Sequence, residues 1–229
     1  MSDVTTGLLP AVRTPTRHRL SDEADRLAYD RYVAARNQYK EEFLDLLEST
    51  RTDGPVLEVG PGYGGFAGLL LARRPLDLRV LCTDPGAVAP LRERLGDAAP
   101  VDHWPAGSPL PAALARRHPL VYSVHALGEC VEPAPLLRGL AQALAPGGRL
   151  LVNDLRRDPD PFILEYTLRE MAADDSPDGR YRLRTYLDSL RGAWTGAELR
   201  ERLDAAGMAD WAVGPDGPMA LTVEHHRAT

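Results

Sequence analysis

Residues 56–67, VLEVGPGYGGFA, limit what this chain can fold into more than any other stretch. Val56, Leu57 and Val59 form a short apolar run suited to a strand buried on both faces. Gly60, Gly62, Gly64 and Gly65 follow, with Pro61 and Tyr63 between them. Phe66, Ala67 and Leu69 to Leu71 then begin a helical pattern. Strand, glycine-rich turn and helix, in that order, open a nucleotide-binding βαβ unit. Glycines let the backbone turn sharply and let a ligand reach main-chain N–H groups that a Cβ would shield. A chain of 229 residues has room for one such α/β domain and an extra segment.

The spacing of Gly60, Gly62 and Gly65 also satisfies the dinucleotide pattern GxGxxG, so a nicotinamide-dependent oxidoreductase stays open at this point. Glu58 weighs against it. A carboxylate inside the strand is costly to bury unless it meets a cation or donors. It would repel a diphosphate and attract an ammonium. The stretch resembles the first motif of class I S-adenosylmethionine (SAM) dependent methyltransferases. The resemblance implies a SAM site in which Gly60, Pro61, Gly62 and Tyr63 hold the methionine moiety and Glu58 helps hold its amino group.

The rest of the chain fits an alternating βα pattern. Residues 1–20 carry Arg13, Arg17, His18 and Arg19 without periodicity and read as a flexible arm, the other reading being a segment that folds over the site. Residues 21–48 are expected to form a helix or helix pair whose Tyr29 and Tyr32 are packing and surface residues, the other reading being that one of them caps the pocket. Strands are expected at 78–82, 101–104, 120–124 and 149–152, with helices at 66–74, 87–95 and 135–144 between them. Asp84 ends the second strand, about 20 residues beyond the glycine loop, where nucleotide-binding folds place a carboxylate on the ribose hydroxyls. Pro85 follows it. Gly107-Ser108 stands where the resembled family commonly has Gly-Asp at the adenine amino group, leaving Ser108 as the candidate there. Ser123, at the end of the fourth strand, completes the implied cofactor set. The segment 136–154, LLRGLAQALAPGGRLLVND, resembles the late part of the same family.

After the fifth strand, Asp158-Pro-Asp-Pro161 breaks the pattern. Helices are expected over 162–172 and 181–190, as a lid at about 156–194 that lies over the pocket. Thr195 and Glu198 make a capping box for a helix to Ala206 that Gly207 ends. Residues 209–213 and 219–224 flank Pro215-Asp216-Gly217 and are expected to form a hairpin with its turn there. The expected architecture is a Rossmann-like, seven-stranded, mostly parallel sheet with helices on both faces. A C-terminal antiparallel hairpin closes it, residues 1–50 are an N-terminal arm and helical extension, and 51–229 form the cofactor-binding domain.

The net charge of −6 argues against nucleic acid as the main partner, and no apolar run approaches the ~20 residues of a membrane span. Lys40 is the only lysine, so arginine carries nearly all the positive charge. Cys82 and Cys130 have no metal-ligand spacing and read as free thiols of a cytoplasmic protein. The carboxylate order of metal-assisted relatives is missing, since Asn153 precedes Asp154, and no metal is expected. The Asn/Asp-Pro-Pro-aromatic signature of nucleic-acid and protein amino methyltransferases is missing as well. The expected reaction is methyl transfer to oxygen or nitrogen of a small molecule or short peptide, in a monomer or homodimer. His125, at the end of the fourth strand, is the candidate base, with Glu129 and Asp154 as second choices. A SAM-binding protein without turnover is the remaining alternative.

Overall fold

The computed structural model describes residues 12–15, 27, 28, 31, 41–50 and 53–228. Its strands are β1 (Val56–Val59), β2 (Leu78–Cys82), β3 (Val101–His103), β4 (His118–Val124), β5 (Leu144–Leu155), β6 (Ala212–Asp216) and β7 (Ala220–His226). They form a seven-stranded sheet in the order β3-β2-β1-β4-β5-β7-β6. The pairs β1–β2, β1–β4, β2–β3 and β4–β5 are parallel. The pairs β5–β7 and β6–β7 are antiparallel. All four residues of β1 are buried, as a central strand covered on both faces requires.

The helices are α1 (Glu41–Ser49), α2 (Gly65–Arg73), α3 (Val88–Leu95), α4 (Pro133–Ala143), α5 (Pro161–Ala172), α6 (Pro177–Gly192) and α7 (Gly196–Ala205). Side chains alternate across the strands, so the sheet carries two cores. On one face Leu57, Val59 and Val121 pack against Leu136, Leu137 and Leu140 of α4 and Leu199 and Leu203 of α7. On the other, Val56, Val80 and Tyr122 pack against Leu44 and Leu47 of α1, Phe66 and Leu70 of α2, and Leu91 of α3. The Phe66 ring bridges this face, 5.8 Å from Phe43 and 5.7 Å from Tyr122. Each fully buried leucine contributes about 2 kcal/mol by leaving water. A third, smaller cluster joins Leu155 to Leu164 of α5 and Tyr186 and Leu190 of α6.

The expected sheet, its antiparallel end and the helices on both faces are all present. Of the helix expected over 21–48, the structure describes α1; Tyr29 and Tyr32 lie outside the described residues. Several boundaries differ: β4 begins at His118, α4 at Pro133 and β5 at Leu144, and three further differences have a visible cause. First, β5 runs on through Asn153 and Asp154 to Leu155, because β7 pairs with it as far as Leu155 opposite Ala220. Second, α6 begins at Pro177. Ser176 caps it by accepting the Gly179 N–H at 3.0 Å, and Pro177 takes the first helical position, where a missing N–H costs nothing. Gly179 is required there, since a Cβ would lie 2.0 Å from the Asp174 carbonyl oxygen.

Third, the hairpin turn is at 217–219, and Pro215 and Asp216 belong to β6. At the sheet edge Pro215 can face outward with no N–H to satisfy. Asp216 accepts a hydrogen bond from the Asn153 amide of β5. The turn is drawn against the segment after β5 by Arg156 N–H donating to Met219 at 3.1 Å and Asp160 N–H donating to Pro218 at 2.9 Å. The capping box at Thr195 and Glu198 is formed as expected, with both reciprocal hydrogen bonds.

Two stability predictions follow from this packing. A Cβ on Gly139 of α4 would stand 2.7 Å from the buried ring of Trp104. Gly139→Ala is expected to lower stability in urea by about 1–2 kcal/mol, overpacking outweighing the gain in helix propensity. Burial also holds the His118 imidazole below its usual pKa of 6.5, against its contact with the Ala143 carbonyl. Burial acts on His225 in the same direction. Both therefore bind protons more readily unfolded, so their contribution is complete above about pH 6.5 and is lost as pH falls below it. Urea midpoints measured between pH 7.5 and 5.5 should fall with pH, and His118→Gln should flatten that fall.

Candidate functional site

The five parallel strands β1, β2, β3, β4 and β5 all end at the same edge of the sheet. The strand order reverses direction between β1 and β4, the place where open α/β sheets hold ligands. The glycine loop leaves β1 there. Gly60, Gly62 and Gly64 have φ of 70°, 55° and 72°, a region that a Cβ disfavours. Gly60 is fixed for a second reason: a Cβ on it would lie 2.7 Å from the Ala126 Cβ. The loop is pinned by Gly60 N–H to Leu81 at 3.0 Å and Gly64 N–H to Pro61 at 2.9 Å. Pro61 and Gly62 stay accessible, while the Tyr63 ring is buried in the core and leaves its main chain to the loop.

Beneath the loop lie buried polar groups. Glu58 is 0% exposed and pairs in register with Tyr122 on β4. Burial, followed by the charge of Glu58, raises the Tyr122 phenol well above its usual pKa, so it remains a proton donor. Ser123 pairs with Val59 and is fully buried. Its Oγ has no hydrogen-bond partner among the described residues and lies 3.8 Å from the position of a Gly60 Cβ. A buried hydroxyl left in that state is costly unless a ligand or water completes it. A cradle emptied by glycine above an unsatisfied hydroxyl and a buried carboxylate fits a ligand with a cationic head.

At the end of β2, Asp84 is exposed, and its Oδ1 accepts the Gly86 N–H at 2.9 Å, which orients the carboxylate. Pro85 opens the short turn that follows. Cys82, just before it, is pushed up to about 11 by burial first, against its hydrogen bond to the Asp84 carbonyl, with the charges of Asp84 and Glu129 adding to the rise. Glu129 thus shares the electrostatic surroundings of the end of β2. After β3, the loop holding Ser108 is tied down by the Trp104 indole N–H, which donates to the Ser108 carbonyl at 3.2 Å. Ser108 is half-buried.

His125 leaves β4 with φ of 60°, a strained conformation that histidine tolerates better than most residues. Its N–H donates to Asn153 at 2.9 Å, and its Nδ1 lies 3.7 Å from Asp154 Oδ1. Asp154 is 4% exposed and its oxygens are engaged. Oδ2 accepts the N–H groups of Leu127 at 2.7 Å and Gly128 at 3.3 Å, and Oδ1 accepts its neighbour Leu155 at 2.7 Å. Asp154, a second choice as base from sequence, is therefore a structural clamp on the loop after β4.

The same loop is held from its other side by a residue the sequence reading left in a flexible arm. The Arg13 guanidinium donates to the carbonyls of Gly128 at 2.9 Å, Leu127 at 3.2 Å, Cys130 at 2.5 Å and Gly192 at 2.5 Å. It also lies 3.9 Å above the Trp194 ring, and Thr14 N–H donates to Arg191 at 3.0 Å. Residues 12–15 are thus docked. In sequence, Arg13 is one of a basic group with Arg17, His18 and Arg19, and nothing in that group singles it out. Among the described residues, no group of three or more His, Cys, Asp or Glu side chains is placed to hold a metal ion. No helix among them is long and apolar enough to cross a membrane.

The chain matches the family described as "Methyltransferase domain" over residues 29–213. Among solved structures, the plantazolicin methyltransferase BpumL, in complex with a triazolic desmethylPZN analog and SAH, is 16% identical with a TM-score of 0.64; the match covers 92% of this chain and 93% of that one. A SAM-dependent methyltransferase from Aquifex aeolicus is 16% identical with a TM-score of 0.54, over 80% and 87% of the two chains. The CurJ carbon methyltransferase is 13% identical with a TM-score of 0.53, over 77% of this chain and 49% of that one. No curated protein sequence matches.

The clamp role of Asp154 carries its own prediction. Asp154→Ala removes the acceptor of the buried Leu127 and Leu155 N–H groups and of the part-buried Gly128 N–H, and is expected to cost about 2–4 kcal/mol in urea unfolding. Asp154→Asn, which keeps one acceptor, should cost less.

Proposed function

Because the chain belongs to the methyltransferase-domain family, we propose that it moves a methyl group from SAM to an oxygen or nitrogen atom of a small molecule or short peptide, by in-line displacement. The observation that carries this reading is the glycine cradle at the β1–β4 switch, with Glu58 beneath it and Asp84 at the neighbouring strand end. The seven-stranded sheet with its antiparallel β5–β7–β6 end supports the same reading and gives the nicotinamide alternative no support. Structural neighbours titled as methyltransferase complexes with SAH support SAM as the cofactor. Those titles span a triazolic desmethylPZN analog and a carbon methyltransferase, so the acceptor assignment rests on this chain's own features.

In this reading the sulfonium of SAM supplies an already electrophilic methyl carbon, and the protein binds, orients and excludes water. Gly60, Pro61, Gly62 and Tyr63 offer main chain to the methionine part, and Glu58 neutralises its ammonium. Ser123 Oγ completes a hydrogen bond beneath the loop. Asp84, oriented by Gly86, accepts from the ribose hydroxyls beside Pro85, and Ser108 meets the adenine edge. His125 takes the proton from the acceptor at an imidazole nitrogen, with Asp154 Oδ1 stabilising the imidazolium that results. Segments α5 and α6 form a lid that shields the acceptor. The net charge of −6 and the two free thiols favour a cytoplasmic enzyme that does not act on nucleic acid.

Calorimetric titration with S-adenosylhomocysteine (SAH) tests the cofactor site. The native protein should bind, and Asp84→Ala should bind at least about tenfold more weakly, the loss of charge-assisted hydrogen bonds. Absence of binding, after any copurified ligand has been removed, would sink the proposal. An acceptor screen with methyl-labelled SAM separates turnover from binding alone. For an acceptor found that way, His125→Gln should leave SAH affinity intact and slow transfer by about 100-fold. Native turnover in that variant would remove His125 as the base.

A further inference from the structure

The carbonyl groups of Leu127, Gly128 and Cys130 converge on one point at the end of β4, and the Arg13 guanidinium occupies it. Three carbonyl dipoles of a single short loop aimed inward repel one another. A cation with several fixed donors turns that repulsion into attraction, and the planar fork of arginine suits the task better than an ammonium. The loop's conformation and the docking of residue 13 are therefore linked. With Arg13 in place the carbonyls are satisfied. Without it, the loop must reorganise or leave the Gly128 and Cys130 carbonyls short of this donor, while Leu127 keeps the Cys130 N–H and the Trp194 indole.

The link extends in three directions. Arg13 also binds the carbonyl of Gly192, the last residue of α6, and Thr14 binds Arg191 beside it. It stacks on Trp194, whose indole N–H donates to the same Leu127 carbonyl at 3.1 Å. The loop's own N–H groups are meanwhile held by Asp154. The charges of Asp154 and Glu198 add longer-range attraction for the guanidinium. Asp154 and Arg13 thus grip one loop from its donor and its acceptor sides. That loop carries His125 at its start and includes Ala126, the residue in closest approach to Gly60.

We infer that Arg13 is a positioning residue: it holds the loop after β4 and the end of α6 together at the cofactor edge of the sheet and sets the place of His125. This rests on the cofactor reading above for the identity of the ligand held there. It does not rest on it for the grip itself. With the Arg13 guanidinium in place the loop is held and ligand release is slowed.

Amide exchange and SAH release, measured on the native chain and on Arg13→Ala and Arg13→Lys, test this. In Arg13→Ala, exchange at Leu127 and Gly128 should rise at least about tenfold, and SAH should dissociate at least about tenfold faster, matching the loss of charge-assisted hydrogen bonds. Amides of β1 and β2 should exchange as in the native protein. Arg13→Lys keeps the charge but loses the fork, and should resemble Arg13→Ala. Added N-ethylguanidinium should restore both readouts in Arg13→Ala. A folded Arg13→Ala with native exchange in the loop overturns the proposal. So does a loosened loop with native SAH release. If Arg13→Ala does not fold, Arg13→Lys carries the same test. If the native protein binds no SAH, the cofactor reading fails, and loop exchange alone still judges the grip of Arg13.

Discussion

The contact on which the rest of this structure depends is the approach of Gly60 to Ala126. Two parallel strands, β1 and β4, bring their carboxyl ends side by side, with Val59 in register with Ser123. Two loops then leave the sheet through one narrow space, and there is no room between them for a single Cβ. That steric limit forces glycine and a left-handed turn at position 60. The loop after β4 likewise begins with a residue of positive φ, His125.

Burial treats the two central carboxylates differently. Asp154 is answered within the fold by three N–H groups, so its charge is settled before any ligand arrives. Glu58 lies deeper and faces a phenol held in its protonated form. A carboxylate placed so far from water at a ligand-holding edge stores an attraction for positive charge. The difference separates a carboxylate held by main-chain N–H groups from one set against a buried phenol, although both stand at strand ends and both look like candidate acids in the sequence.

What the sequence disclosed was whatever is local. The glycine loop, the apolar strands, the capping box at Thr195 and Glu198, and the acid after β2 are each written within a few neighbouring residues. The hairpin register was misread because Pro215-Asp216-Gly217 carries turn chemistry. Contacts from Asn153, Arg156 and Asp160, distant in sequence, decide where the chain reverses. The start of α6 differs for another reason: its cap is local, Ser176 accepting from Gly179, but the polar stretch 174–179 with its proline and glycine carries turn chemistry as well. Arg13 was the hardest to see. Its partners lie more than a hundred residues away and are main-chain carbonyls, which leave no mark in the side-chain pattern.

The place of Pro215 has a further consequence. Strand β6 lies at one margin of the sheet and β3, of three residues, at the other. An exposed margin invites a strand from another molecule to continue the ladder, which is how sheets begin to aggregate. Here one margin is too short to template such a partner, and the other is interrupted by a residue with no N–H to offer. The sheet can therefore keep its central strands buried, polar groups such as Glu58 and Ser123 among them, while its borders deny a neighbouring chain a foothold.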